Sequence, residues 1–214
     1  AILAQTPFVK DKSIVALNVD SQLFDMHSPL PANYQKIEWV RKGSEKGLEV
    51  MRHSTAHILA QAVKKLFPET QVTIGPVIEN GFFYDFSRKS GFKEEELPLI
   101  EAEMNKIIAA ALPIRREDWP VAKAIEFFKN QGEHYKCEII QDLQKNTGTE
   151  SVSLYWQGDF VDLCRGPHLP TTGHVGAFKL SHLAGAYWRG SEKNEMLSRI
   201  YGIAFASQDD LKKY

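Results

Sequence analysis

Arg52-His53-Ser54-Thr55-Ala56-His57, read together with Asp162-Leu163-Cys164-Arg165-Gly166-Pro167-His168 much later in the chain, decides how this sequence folds. The two stretches make an HxxxH followed by a CxxxH. In a helix over Val50 to Leu66 each residue advances by ~100°, so Met51, Thr55, Ile58, Leu59, Ala62, Val63 and Leu66 form one broad apolar stripe while His53 and His57 fall together on the opposite side. On this reading the two imidazoles, a turn apart and shared with Lys64, leave the packing face and make one wall of a cleft. Cys164 and His168 are the candidates to complete it.

Working outward, Pro68 ends the helical pattern, and Asn80-Gly81 between apolar runs predicts a type I′ hairpin, with Phe82 and Tyr84 on one face and Phe83 and Asp85 on the other. Leu97, Ile100, Met104, Ile107, Ile108 and Ala111 recur at helical spacing behind a glutamate-rich start. Asp118-Trp119-Pro120 reads as the opening of another helix, with Asp118 as N-cap, Ala124, Ile125 and Phe128 packing, and Gly132 as its end. Ser151 to Trp156 and Phe160 to Cys164 read as a hairpin turning at Gln157-Gly158-Asp159. Alternation along its second strand puts Phe160, Asp162 and Cys164 on one face. The remainder, from Ala177 to Phe205, reads as strands and turns. The expected class is α+β, an antiparallel sheet with helices packed on it.

Toward the N-terminus, short apolar runs over Ser13–Asp20, Gln22–Asp25 and Gln35–Val40 make a small β-rich unit. Three short strands bury little surface alone, so this unit is truncated or leans on its neighbour. The domain boundaries are therefore set at 1–42 for this module, 43–48 for a charged, glycine-containing linker, and 49–214 for the main domain.

The 214 residues carry 43% hydrophobic side chains and a formal net charge of −1, enough for a real core and too little positive charge for a protein that coats nucleic acid. Any RNA contact must be local. Two cysteines, Cys137 and Cys164, are too few for a disulfide scaffold and fit a reducing compartment. No run of ~18 apolar residues and no charged-then-apolar leader occurs, so a cytoplasmic location is expected and a membrane is not.

Each histidine taken alone is adequately explained by packing or exposure, but the quartet His53, His57, Cys164 and His168 is competent for two chemistries. It matches a zinc donor set, and the same side chains can handle protons around a bound water without any metal. Asp162, on the Cys164 face, is costly to bury unpaired, and Lys136 is one possible counter-ion. Lys136 and Cys137 could equally sit on a solvated edge, and Tyr84 and Trp188 could be core.

RHSTAH at 52–57, IGPVIENGFFYDF at 74–86, YKCEII at 135–140, FVDLCRGPH at 160–168 and FKLSHLAGAYWRG at 178–190 together resemble the N-terminal half of bacterial-type threonyl-tRNA synthetases. The resemblance runs from about Ser13 onward. The Val15–Val40 segment resembles the later part of that family's ubiquitin-like β-grasp module, TGS, with its opening strands missing, and residues from about Gly47 resemble its editing domain, shared in outline with alanyl-tRNA synthetases. No counterpart of the class II core, with its ATP, magnesium and zinc, is present in these residues. In full-length relatives that core is expected to make the homodimer.

The resemblance implies hydrolysis of the ester joining serine to the 3′-terminal adenosine of the threonine tRNA. It implies His53 as the residue that positions or deprotonates water, Lys136 for oxyanion charge or for assisting the leaving hydroxyl, and His57, Cys164 and His168 completing the cleft. Asp162 would hold the seryl ammonium or orient Lys136. Tyr84, Asp85 and Trp188 are the candidate tRNA contacts, with Tyr84 stacking on the adenosine. No cofactor is implied; a zinc ion, if held, would use the quartet. The alternatives are a zinc-dependent hydrolase acting in trans on mischarged tRNA, and a tRNA-acceptor module that catalyses nothing.

Overall fold

The computed structural model describes residues 11–26 and 28–214. The first ten residues of the expected N-terminal module lie outside the described residues. In the rest of it, β1 (Ile14–Val19) is the central strand, flanked by β2 (Gln22–Phe24) and β3 (Ile37–Arg41), both antiparallel to it. All six β1 residues are buried. Ile14, Leu17 and Val19 join Met26 in a small core of the module, whereas Val15 and Ala16, with Val40 of β3, enter the main core of the molecule. A bulge between Ile14 and Ala16 accompanies this division. The module thus leans on its neighbour.

The helix expected over Val50–Leu66 is longer. Helix α1 spans Glu45–Leu66, and Ser44 caps it by accepting the Gly47 N–H at 3.2 Å. Most of the stretch expected as a linker is therefore its first turn. The charged composition of Lys42–Lys46 suggested a linker, but Ser44 followed by Glu45 is also N-cap chemistry, favoured by the helix dipole. A second expectation fails for a related reason. Besides the apolar stripe, Ser54, Ala56, His57 and Ala60 are buried too, so α1 is enclosed on several sides rather than presenting a solvated polar face. Lys64 does not join the histidines. It pairs at 2.7 Å with Glu133, itself 3% exposed, and so ties α1 to the region of Glu133.

Around α1 lie two further antiparallel sheets, where the sequence pattern predicted one. The larger runs β10 (Ala177–Tyr187), β11 (Met196–Phe205), β6 (Gly81–Ser87), β4 (Gln71–Val72), with β5 (Val77–Ile78) also on β6. Phe82, Tyr84 and Phe86 of β6 point into the core, as alternation predicted. The β5–β6 turn is Glu79-Asn80, since Ile78 pairs with Gly81. Asn80 takes the positive φ of 57°. Gly81 has a different reason to be glycine: a Cβ there would lie 2.1 Å from the Gly202 carbonyl oxygen on β11.

The smaller sheet has the order β7 (Ile114–Pro120), β8 (Ser151–Gln157), β9 (Phe160–Leu163). Asp118 is a strand residue opposite Ser153, not a helix cap. Its segment, Arg115-Arg116-Glu117-Asp118, has no apolar alternation because β7 is an edge strand, so the strand signal was absent and the turn residues misled. Helix α3 (Val121–Asn130) starts after Pro120, packing Ala124 and Phe128 inward. Of the other α-helices among the described residues, α2 (Leu97–Ala109) packs with α1, and α4 (His134–Thr147) carries the YKCEII motif. Helix α5 (Gln208–Lys213) closes the chain.

Candidate functional site

α1 and the segment that leaves β9 meet at the quartet. The ligating atoms of His53, His57, Cys164 and His168 all lie within 4.8 Å of one another. Cys164 Sγ sits between two imidazoles, 3.2 Å from His53 Nε2 and 3.3 Å from His168 Nε2. The His168 ring packs 4.2 Å, centroid to centroid, from both His53 and His57.

Ser54, inside the HxxxH motif, organises this side of the cleft. Its hydroxyl donates to the Val50 carbonyl and accepts the Leu169 N–H, each at 2.9 Å. With that proton committed, Oγ can only accept from His168 Nδ1 at 3.0 Å. This network assigns the proton of neutral His168 to Nδ1 and turns the Nε2 lone pair toward Cys164.

Behind the quartet lies a buried charged group. Asp162 on β9 and Lys136 on α4 are 1% and 2% exposed and form an ion pair. Lys136 Nζ also donates to the Thr73 carbonyl at 2.7 Å and to Tyr84 Oη at 3.2 Å. Tyr84 Oη in turn donates to Asp162 Oδ2 at 2.6 Å, and His57 Nδ1 lies 3.5 Å from the same oxygen. A buried pair is tolerable when several elements satisfy it: Lys136 Nζ and Asp162 Oδ2 are so served, while Asp162 Oδ1 faces the ammonium and has no hydrogen-bond partner among the described residues.

Protonation states follow from burial. Burial holds His57 down to about 3, with the Asp162 charge opposing. It also lowers His53, against a hydrogen bond to the Pro167 carbonyl, and takes His168 well below the ordinary range. The Cys164 thiol is pushed up to about 12, chiefly by burial. Asp162 stays below the usual carboxylate range: burial would raise it, but the Lys136 charge, the His57 ring and the hydrogen bonds from Lys136 and Tyr84 together more than compensate. At neutral pH the cleft therefore presents neutral imidazoles, a protonated thiol and, behind them, the charged Lys136–Asp162 pair.

The sequence-predicted residues divide into two groups. His53, His57, Cys164, His168, Asp162, Lys136 and Tyr84 come together. Tyr84, however, is 1% exposed, its ring is stacked on Phe86 and its hydroxyl is occupied by Asp162, so it supports the ion pair rather than offering a free face for stacking. Asp85, on the opposite face of β6, binds Arg199 through both oxygens at 2.7 and 2.8 Å, an ion pair within the sheet. Trp188 packs against Tyr135 and Leu197 and donates to Glu138, away from the quartet's own contacts. Arg52 anchors α1 to the sheet through the Ala204 carbonyl at 3.1 Å. Cys137 faces the Ile125 carbonyl and takes no part.

Asp25, Ser54 and Tyr155 were not anticipated. Ser54 sits in the motif, and only a count of its hydrogen-bond partners marks it. Asp25 lies on another module and had no sequence signal.

Comparison with known proteins places these features in context. Residues 152–201 match the family described as threonyl and alanyl tRNA synthetase second additional domain. The chain is 56% identical over 203 residues to a threonine–tRNA ligase of Aromatoleum aromaticum, an alignment covering 95% of this chain and 31% of that protein. It is 53% identical to the ligase of Acidithiobacillus ferrooxidans and 50% identical to that of Orientia tsutsugamushi, with the same coverage. The chain thus spans about a third of the length of the curated relatives it matches.

Proposed function

Because the chain is homologous to the N-terminal region of threonine–tRNA ligases, we propose that its cleft edits their product, hydrolysing the ester of seryl-tRNA made in error on the threonine tRNA. Threonine and serine differ by a methyl group, and losing one methyl contact discriminates by only about 1–3 kcal/mol, so a ligase of this specificity needs a second sieve. The observation that carries the reading is a set of neutral imidazoles beside a buried lysine ammonium, a base and a cation in one cleft.

Water attacks the seryl carbonyl carbon. The Cys164 thiol, held protonated, donates to His168 Nε2 and leaves His53 Nε2 free to take the proton of that water. Lys136, whose N–H donors are committed to Asp162, Thr73 and Tyr84, stabilises the charge that develops on the carbonyl oxygen through its field from behind the quartet rather than by a direct hydrogen bond. The ribose oxygen leaves with a proton, relayed through the neighbouring ribose hydroxyl. Asp162 orients Lys136 and opposes its charge in the resting state, a role supported by the direct ion pair. Cys164 is not a nucleophile here, because a thiol at about 12 is almost wholly un-ionised at neutral pH. The serine side chain would be selected sterically, in a pocket too tight for the extra methyl.

The donor set also fits a metal. Bond lengths of about 2.0–2.3 Å put tetrahedral zinc ligands roughly 3.5 Å apart, close to the Cys164–His53 and Cys164–His168 separations. His53, His57, Cys164 and His168 would hold the ion, and its chemistry would be acidification of water. We propose that hydrolysis does not require it, since Lys136 already places a cation at the cleft.

The test is hydrolysis of seryl- and threonyl-tRNA of the threonine isoacceptor by the purified chain, with and without chelator. Serine release that spares threonine, persists in chelator and disappears in His53→Ala is the expected result. Loss in chelator would replace this reading with the zinc hydrolase, and no cleavage at saturating protein would leave a binding module.

A further inference from the structure

We propose that Asp25 of the N-terminal module is a positioning residue for the cleft, acting with Tyr155 to hold His168 and the Arg165–Pro167 turn in register, so that the module is part of the site rather than an appendage. The inference rests on the hydrolytic reading of the cleft.

Three donors from two modules converge on this carboxylate. Oδ1 accepts the His168 N–H at 2.6 Å. Oδ2 accepts the Tyr155 O–H at 2.6 Å and the Ser28 O–H at 2.8 Å. Two oxygens that only accept are matched to three hydrogens, and hydrogen bonds to a carboxylate are about twice as strong as neutral ones.

Tyr155 extends the hold from backbone to ring. It is 2% exposed, and its ring meets the His168 imidazole edge to face at 4.5 Å. The turn seats directly over its hydroxyl: Gly166 has φ of 72°, and a Cβ there would lie 1.9 Å from Tyr155 Oη. Gly166 is thus glycine for two reasons, its backbone conformation and the hydroxyl beneath it. Its N–H reaches Cys164 Sγ at 3.3 Å, so the same turn places both the thiol and the imidazole. Ser54 holds His168 from α1 and Asp25 holds it from the module. Remove the second hold, and His168 can move with its turn while α1 keeps His53 and His57 in place. A displacement of about 1 Å costs a reaction of this kind on the order of 100-fold.

The experiment compares Asp25→Ala, Asp25→Asn and Tyr155→Phe in the 214-residue chain by two measurements, at equal folded fraction judged from intact β10 and β11 amide signals. The first is hydrolysis of seryl-tRNA. Asp25→Ala is expected to lower kcat by about 10–100-fold with KM within about twofold, Tyr155→Phe to lower it less, and Asp25→Asn, which keeps an acceptor for the His168 N–H, to fall between Ala and wild type. The second is the proton NMR shift and exchange rate of the His168 amide. A downfield, slowly exchanging signal in wild type that moves upfield and exchanges fast in Asp25→Ala is expected. Should wild type cleave neither ester, the editing reading fails, yet the amide measurement still decides whether Asp25 holds His168. Wild-type kcat in Asp25→Ala with an unshifted His168 amide would overturn the proposal. So would an equal fall in kcat in all three variants with the His168 amide unshifted, which marks a purely structural joint.

Discussion

Lys136 and Asp162 contribute to the site through their mutual burial, and that burial makes each a liability without the other. Truncating one partner of a buried pair leaves an uncompensated charge at a cost of about 3–5 kcal/mol, whereas replacing both by groups of similar shape is nearly neutral. Lys136→Ala is therefore expected to lose roughly that much stability in urea unfolding as well as hydrolysis. The double variant Lys136→Met/Asp162→Asn should recover most of the stability and none of the activity. If stability and activity instead return together, the pair has no chemical role beyond packing. Ser54 behaves differently, because its hydroxyl serves three partners at once. Ser54→Ala leaves the buried Leu169 N–H and His168 Nδ1 without their acceptor, at about 1–3 kcal/mol. Its His168 ring nitrogens should also lose their single tautomer, readable from nitrogen chemical shifts.

At the scale of elements, the sites where strands approach closely govern the cleft as firmly as its own side chains do. Gly81 brings β6 against β11, and Tyr84, on the same strand, carries the hydroxyl that reaches Asp162. Gly81→Ala would force the strands apart, an overpacking cost of about 1–3 kcal/mol. It should also weaken hydrolysis by displacing Tyr84, although residue 81 touches no substrate. Unchanged unfolding midpoint and unchanged rate would show that the β6–β11 gap is softer than the 2.1 Å approach implies. The sequence marked this position as a turn glycine, because Asn-Gly is a strong local signal and the approach of β11, far along the chain, leaves no local trace. The β7 edge strand was missed for the converse reason: it is held by pairing with β8, and its own residues carry no alternating pattern.

For the whole molecule, three neutral imidazoles at the junction of α1 and the β9 segment, His57 and His168 buried and His53 half-buried, couple folding to pH. In the unfolded chain each histidine takes up a proton near pH 6.5; in the fold His57 resists doing so until about pH 3, His168 until well below its ordinary value, and His53 until below it. The stability associated with their neutral burial is complete above about pH 6.5 and is lost as pH falls from there toward the folded values. Each contributes a slope of about 1.4 kcal/mol per pH unit, so three give up to about 4. Asp162, held low by Lys136 and His57, acts in the same direction at more acid pH. Unfolding midpoints measured in chelator should therefore fall steeply between about pH 6.5 and 4. A flat profile over that interval would contradict the neutral imidazoles on which His53 as base depends.

The α+β class and the hairpin that carries Asp162 and Cys164 on one face were legible as local periodicities, 3.6 residues in α1 and two in β9, and HxxxH could be matched with CxxxH because the four side chains share one chemistry. The quartet's residues could be named for the same reason. Whether α1 had a solvated face, whether Tyr84 was free to stack, and that Asp25 would grip His168 from a separate module were decided only by the tertiary structure. Those facts depend on which distant segments occupy the space around a side chain. Burial, hydrogen-bond partners and the protonation that follows from them belong to the packed assembly, and no spacing along the chain encodes them.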